Sequence, residues 1–485
     1  MLELDKIIRG ININSFSGDK RKIIGSVAFD SRKVTDGSLF VAVKGLKYDG
    51  HDFILEALRA GASAVICEKL PDKPDKNVSW IETNDSSKAL GKAASNFFGN
   101  PSLKLKLTGV TGTNGKTTIA TLLYRVFKGL GYKCGLFSTI CNLIIDKEIG
   151  ATHTTPDPVQ LNRVMSEMVE SGCDYAFMEV SSHSVDQQRI EGLEFVGGIF
   201  TNLTHDHLDY HKTFDSYLAV KKRWFDSLPE NAFALVNTDD KNGSVMLQNC
   251  QARHYTFSLR GMADYRCAII EQSFEGMCLR IMGEEFWTRF IGDFNASNLL
   301  AVYAASELLG AEKEEILTVM SKLTAVAGRL EVIRSADGIT GIVDYAHTPD
   351  ALLNVIGTIN KIRANNVQLI TVVGAGGDRD RLKRPKMAAI SAEGSTIVIL
   401  TSDNPRSEDP ERIIDDMEEG LTREHREKAL RICDRREAIK TATMLANPGD
   451  VILIAGKGHE TYQEINGVKN HFDDREELRK ALLLK

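Results

Sequence analysis

The stretch Thr108-Gly-Val-Thr-Gly-Thr-Asn-Gly-Lys-Thr-Thr118 limits the folds open to this chain more than any other. It continues an apolar, strand-like run from Leu103 to Val110 and precedes a helix-compatible run from Ile119 to Leu130. Strand, glycine-rich turn and helix in that order belong to a parallel α/β sheet that holds a phosphate at the turn. Glycines let backbone N–H groups face an anion, and the helix N-terminus adds partial positive charge. Lys116 can reach β- and γ-phosphates, and the Thr117 hydroxyl can ligate Mg²⁺. The spacing departs from G-x-x-x-x-G-K-T, because Val110 stands six before Lys116, with glycines at 109 and 112 instead. Gly112-Thr-Asn-Gly-Lys-Thr117 after a strand still specifies a nucleoside triphosphate site, with Gly112, Thr113, Asn114, Gly115, Lys116, Thr117 and Thr118 as its binding residues.

One such unit does not use up 485 residues. At about 150 residues per domain the length argues for roughly three domains, each able to bury its own core. From Ile23 to about Trp80, short apolar runs (Ser38–Val43, Ala62–Cys67) alternate with a helical pattern at Asp52–Ala60. A turn signal at Phe97–Ser102 closes this small α/β unit. The middle stretch alternates strands (Tyr175–Val180, Gly197–Leu203, Phe233–Asn237) with helical segments up to Gly328-Arg329. Beyond it, runs at Ile339–Val343, Gln368–Val373, Thr396–Thr401 and Val451–Ala455 each stop at a polar loop. Those loops are Asp344-Tyr-Ala-His-Thr-Pro349, Gly374-Ala-Gly-Gly-Asp-Arg379, Ser402-Asp-Asn-Pro-Arg406 and Gly456-Lys-Gly-His-Glu460. Open α/β sheets bind ligands outside the carboxyl ends of their strands, so the four loops read as one site. The expected fold class is α/β in three domains. These are a small N-terminal α/β domain at 1–100, a central P-loop ATPase-like parallel sheet at 101–330, and a Rossmann-like α/β domain at 331–485.

Composition narrows the function. Lys and Arg number 60 against 66 Asp and Glu, so the net charge of −6 gives no general affinity for nucleic acid. No uncharged apolar run approaches the ~18 residues that span a bilayer, and the N-terminus lacks the basic-then-apolar order of a secretion signal. A cytoplasmic enzyme with small-molecule substrates, monomeric and without nucleic-acid or membrane partners, is expected. The eight cysteines contain no Cys-x-x-Cys pair and read as buried thiols.

Two further clusters have chemistry of their own. Glu179-Val-Ser-Ser-His183 ends one strand, and Thr204-His-Asp-His-Leu-Asp-Tyr-His211 follows the next. Glu179 is a natural ligand for a hard cation such as Mg²⁺, whereas His205, His207 and His211 taken alone allow zinc or a histidine cluster with no metal. Tyr217-Leu-Ala-Val-Lys-Lys-Arg-Trp-Phe225 is a helical segment with adjacent Lys221 and Lys222, which by itself reads as a basic helix face.

Taken in order with Gly292-Asp-Phe-Asn-Ala-Ser-Asn298, these blocks resemble the Mur ligases, ATP-dependent amide-bond-forming enzymes of peptidoglycan synthesis. The resemblance runs from about Asp30 to Glu460, and within the family it is greatest to the members that add 2,6-diaminopimelate as the third residue of the stem peptide. It implies that Ser31 lies in a uridine-nucleotide pocket and that Thr154, Thr155, Ser181, Gln187 and Arg189 hold the muramoyl-peptide. It adds Asn295, Asn298, Arg329, Asp344 and His347 to the ATP site. Glu179 and His207 become magnesium ligands beside Thr117, which moves the histidine cluster away from zinc. Lys221 aligns with a lysine carbamylated by CO₂, giving Lys116, Glu179, His207 and Lys221 as the catalytic set. Arg379, Asp403, Asn404, Pro405, Arg406, Gly456 and Glu460 match diaminopimelate-binding positions. Arg406 is the discriminating one, since lysine-adding relatives usually lack it.

Two other classes of function compete. A folylpolyglutamate synthetase-like ligase shares the phosphate loop, but Asp30-Ser-Arg32 and the long segment before that loop speak against it. A non-enzymatic nucleotide switch would bind guanine through Asn-Lys-x-Asp, a tetrapeptide absent from the chain.

Overall fold

A computed structural model describes residues 1–45, 48–150, 154–204 and 208–484. Three main sheets follow one another along the chain. The first has five strands in the order Ser15–Ser17, Ser79–Glu82, Ala62–Cys67, Ser38–Val41, Ser26–Ala28, parallel except for the first pair. Helix Ser86–Phe97 packs Ala89, Leu90 and Ala93 on one face, against Leu39, Val41 and Ala64.

The second sheet has eleven strands. Its parallel heart runs Cys134–Phe137, Tyr175–Glu179, Lys106–Thr111, Gly197–Phe200, Phe233–Asn237, Arg253–Ser258. Tyr175–Glu179, Gly197–Phe200 and Phe233–Asn237 are buried throughout and read as apolar runs for that reason, whereas Cys134–Phe137 and the half-exposed Arg253–Ser258 are not among the strands expected from the sequence. The start of the phosphate-loop strand also differs: residues Pro101–Lys104 form a 3₁₀ turn and the strand begins at Lys106, not Leu103. Pro101 pre-sets a turn there, and Asn100 before it is left-handed. Beyond Arg253–Ser258 the sheet continues through Tyr265–Ser273, Gly276–Ile281 and Glu284–Thr288, the last two pairings antiparallel. Helices Lys116–Gly129 and Asp293–Leu308 cover one face. Helices Pro158–Glu170 and Phe214–Asp226 cover the other.

The third sheet has the order Glu331–Arg334, Thr340–Asp344, Val451–Ala455, Leu369–Ala375, Ile397–Ser402, Ala429–Arg431, antiparallel only at its first pair. Four adjacent parallel strands therefore deliver their carboxyl ends, and the four loops that follow them, to one edge. All eight cysteines are unpaired, five of them buried. Among the described residues no helix is long and apolar enough to cross a membrane.

Candidate active site

The phosphate loop turns at Gly112 (φ +148°) and Gly115 (φ +90°). A Cβ at 112 would lie 1.9 Å from the Thr201 hydroxyl, so the turn has room only for glycine. Thr201 Oγ1 donates to the Asn114 carbonyl at 2.6 Å, and Asn202 Oδ1 accepts from the Asn114 amide at 2.9 Å. Helix Lys116–Gly129 starts with no side-chain cap, whereas Asp157, Thr213 and Thr348 cap their helices. Its first amides are thereby left to an anion. Lys116 Nζ bridges the Gly112 and Thr113 carbonyls at 2.9 and 2.7 Å.

Beside the loop, Thr117 Oγ1 donates to Glu179 Oε2 at 2.9 Å, and the Thr139 amide donates to Glu179 Oε1 at 2.6 Å. A hydroxyl and a fully buried carboxylate thus converge on one point, an all-oxygen pair that fits Mg²⁺. Lys221 and Lys222 part ways on their helix. Lys221 is 1% exposed, its Nζ 3.2 Å from Thr111 Oγ1 and 3.1 Å from the Gly112 carbonyl. Lys222 pairs with Asp226 at 2.6 Å on the outer side. His205 and His207 lie outside the described residues. His211 is buried with Nε2 2.9 Å from Ser182 Oγ.

Two cavities meet along this loop. One, of about 930 Å³, runs between the second and third sheets and is lined by Asn114, Gly115, Thr118, Asn298, Arg329, Asp344 and His347 among others. The other, of about 550 Å³, has Lys116, Thr117, Glu179 and Lys221 on one wall, with Thr154, Thr155, Ser181 and Arg189 beside them. Its opposite wall is Arg379, Asp403, Asn404, Arg406, Gly456 and Glu460. Arg329 belongs to both: it reaches Thr117 Oγ1 at 3.3 Å and stacks 4.6 Å from the Tyr345 ring. Burial pushes the Asp344 carboxyl above the usual range, against the pull of Arg329 and of the Leu330 and Ala346 amides that it accepts.

The opposite wall is tied together by side chains. Arg406, itself left-handed at φ +53°, donates through Nη1 to the Gly377 carbonyl at 2.7 Å. Arg384, 1% exposed, pairs with Glu408 at 2.8 Å and Asp416 at 2.7 Å, and its hydrogen bonds, with the Asp378 amide and the Arg384 and Arg381 charges, hold the Glu408 carboxyl down at about 2.

Five of the described residues expected at the site line neither cavity, Gly112 at the turn of the phosphate loop being one. Ser31 lies in the first sheet's unit, where Asp30 and Arg32 form a paired fork at 2.8 Å. Gln187 stands behind Arg189, accepting from its Nη2 at 2.6 Å. Asn295 backs Asn298, and Pro405 lies beneath Gly377. Conversely, Thr139, Asn202, Tyr217, Tyr345 and Lys383 line the cavities without having been singled out. Tyr217 and Tyr345 fall inside the quoted Tyr217–Phe225 and Asp344–Pro349 blocks, which gave them no role, Thr139 and Asn202 sit just after strand ends, and Lys383 starts a helix with no motif of its own.

Sheet order, glycine loop and the cation-rich cleft define a nucleotide-dependent ligase architecture. Family models agree along the chain: Mur ligase family, catalytic domain, matches residues 23–98, Mur ligase middle domain 110–306, and Mur ligase, glutamate ligase domain, 328–458. The chain belongs to the Mur ligase family. The UDP-N-acetylmuramoyl-L-alanyl-D-glutamate–2,6-diaminopimelate ligase of Phocaeicola vulgatus is 56% identical over 99% of both chains. A solved structure bearing the same enzyme name superposes with a TM-score of 0.71 at 35% identity, covering 100% of this chain and 99% of that one. The folylpolyglutamate synthase of Mycobacterium tuberculosis, at 17% identity and TM-score 0.61 over 76% of this chain and 91% of its own, shares the fold.

Proposed function

We propose that this ATP-dependent ligase joins 2,6-diaminopimelate to the D-glutamyl γ-carboxylate of UDP-N-acetylmuramoyl-L-alanyl-D-glutamate, releasing ADP and phosphate, in peptidoglycan precursor synthesis. The observation that carries the reading is the smaller cavity, with a phosphate loop on one wall and an arginine- and carboxylate-lined pocket on the other. Diaminopimelate has a second amino-acid head, and only a pocket with both a carboxylate-binding fork and ammonium acceptors recognises it.

In this reading residues 1–100 hold the uridine nucleotide around Ser31, residues 101–330 hold ATP, and residues 331–485 hold the incoming amino acid. Thr154, Thr155, Ser181 and Arg189, with Gln187 orienting Arg189, hold the muramoyl-peptide. The γ-carboxylate attacks the ATP γ-phosphate to form an acyl phosphate, and Lys116 with the uncapped helix end neutralises the developing charge. The acceptor amine, held by the opposite wall, then attacks the acyl carbon and phosphate leaves. Thr117, Glu179 and His207 would hold Mg²⁺, which would supply charge neutralisation to the phosphoryl group. The Lys221 ammonium gives up a proton to water, and the free amine adds CO₂ through a new N–C bond and releases a second proton, so that a buried cation in the cavity that Glu179 also lines becomes an anionic carbamate able to serve as a further oxygen ligand. The enzyme works as a cytoplasmic monomer.

Phosphate release from ATP, measured with the UDP-muramoyl-dipeptide and each amino acid in turn, tests this. Release that depends on diaminopimelate is expected. Equal turnover with lysine would move the assignment to a lysine-adding ligase, and release independent of any amino acid would overturn it.

A further inference from the structure

Gly456-Lys-Gly-His-Glu460 supplies two residues to the acceptor wall, but its lysine points elsewhere. Lys457 is completely buried behind that wall. Its Nζ lies 3.0 Å from Asn404 Oδ1, 3.4 Å from Glu460 Oε2 and 3.9 Å from Asp403 Oδ1, with the Tyr462 ring 5.6 Å away. Asn404 in turn donates through Nδ2 to Glu460 Oε2 at 2.7 Å and accepts the Glu464 amide at 2.9 Å. One ammonium therefore organises two loops that meet only in the folded chain. Asp403 and Glu460 both line the cavity; Lys457 is not among its lining residues.

We propose that Lys457 is a positioning residue for the acceptor: its buried ammonium keeps Asp403 and Glu460 both ionised and held apart from each other, so that two carboxylates receive the distal ammonium of the incoming amino acid. The proposal rests on the acceptor reading of this pocket. Two carboxylates sharing a buried site without a counter-charge retain a proton between them. Burial and the Asp403 charge push the Glu460 carboxyl up, and Lys457 pulls it back. The other groups around the pair are Arg379 and Arg406 on the same wall, Arg435, a fully buried cation bound to Asp474, and the Tyr345 phenol, with the Tyr462 ring against Lys457. Arg435 is committed to Asp474 at 2.7 Å by both arms of its fork. Lys457 bonds Asn404 and Glu460, two side chains of the acceptor wall itself.

Substituting Lys457→Met in the full chain tests this, with steady-state kinetics from pH 7 to 9 and wild type run beside it. The acceptor KM is expected to rise about thirtyfold at pH 7, the loss typical of breaking a buried charge pair, while the KM values for ATP and the muramoyl nucleotide hold. Relative to wild type, that excess should shrink as pH rises and the shared proton leaves. In Lys457→Met/Glu460→Gln only one carboxylate remains, so the pH dependence should vanish although the KM stays high. A pH-independent excess in the single variant, or equal losses for all three substrates, would overturn the proposal. If the single variant does not fold, recovery of folding in the double variant, whose net charge equals that of wild type, supports it, and failure of both overturns it. Absence of diaminopimelate-dependent turnover in the wild type would instead overturn the functional reading beneath it.

Discussion

The two walls of the smaller cavity are made of different material. The phosphate wall is built around one run of residues, 112–118, joined by Glu179 and Lys221, and the run itself offers mainly backbone: turned amides, an uncapped helix end, and one lysine laid over its own loop. The acceptor wall comes from three loops and offers side chains held by partners from other loops: Arg406 by the Gly377 carbonyl, Asp403 and Glu460 by the buried Lys457. A backbone site tolerates no added Cβ but needs few distant partners. A side-chain site tolerates backbone change, yet fails when a buried partner loses its charge, because an unpaired buried ion costs several kcal/mol.

The contrast predicts different kinds of failure. Lys221→Ala, on the phosphate side, should lower kcat about 10³-fold, as loss of a transition-state charge contact does, with partial recovery by small carboxylates; full activity in this variant would remove the carbamate from the mechanism. Gly112→Ala forces its methyl into Thr201 and should cost about 10²-fold in kcat/KM for ATP through misplacement of the loop. Its acceptor KM should not move, which titration of both substrates checks. Arg406→Lys keeps the charge and loses the planar fork, so the diaminopimelate KM should rise about tenfold with ATP binding intact.

The smallest effect concerns pH. Burial, then the Arg329, Arg475 and His347 charges, depress His459 to about 3 from an ordinary 6.5. The unfolded chain takes up this proton first, so the stability His459 contributes is whole above pH 6.5 and is lost as pH falls toward 3. Urea denaturation at pH 7.5 and 5.5 should show a smaller drop for His459→Gln than for wild type; an equal drop would assign the acid lability to other groups.

How much could be read in advance follows the same division. Strands at Ala62–Cys67, Phe233–Asn237 and Val451–Ala455 are the apolar runs of the sequence, residue for residue, since strands buried on both faces must be continuously apolar. The antiparallel extension from Tyr265 to Thr288 escaped, because it buries only one face: Tyr265 and Cys267 point in while Arg266 and Ala268 point out. At the site, the phosphate loop was plain. The buttresses Thr201 and Asn202, the support from Arg384 and Lys457, and the placing of Gln187 and Asn295 behind other residues were not, for each depends on what packs against it.

From residue order alone came the phosphate loop, the run of three α/β units and the four loops at strand ends, all of them consequences of local backbone chemistry and period. Tertiary structure decided which lysine of an adjacent pair turns inward, Lys221 toward the Thr111–Gly112 turn and Lys222 toward Asp226. It also decided which charges sit behind the acceptor wall. A charge acquires its role from burial and from partners distant in the chain, and neither exists until the sheets have assembled.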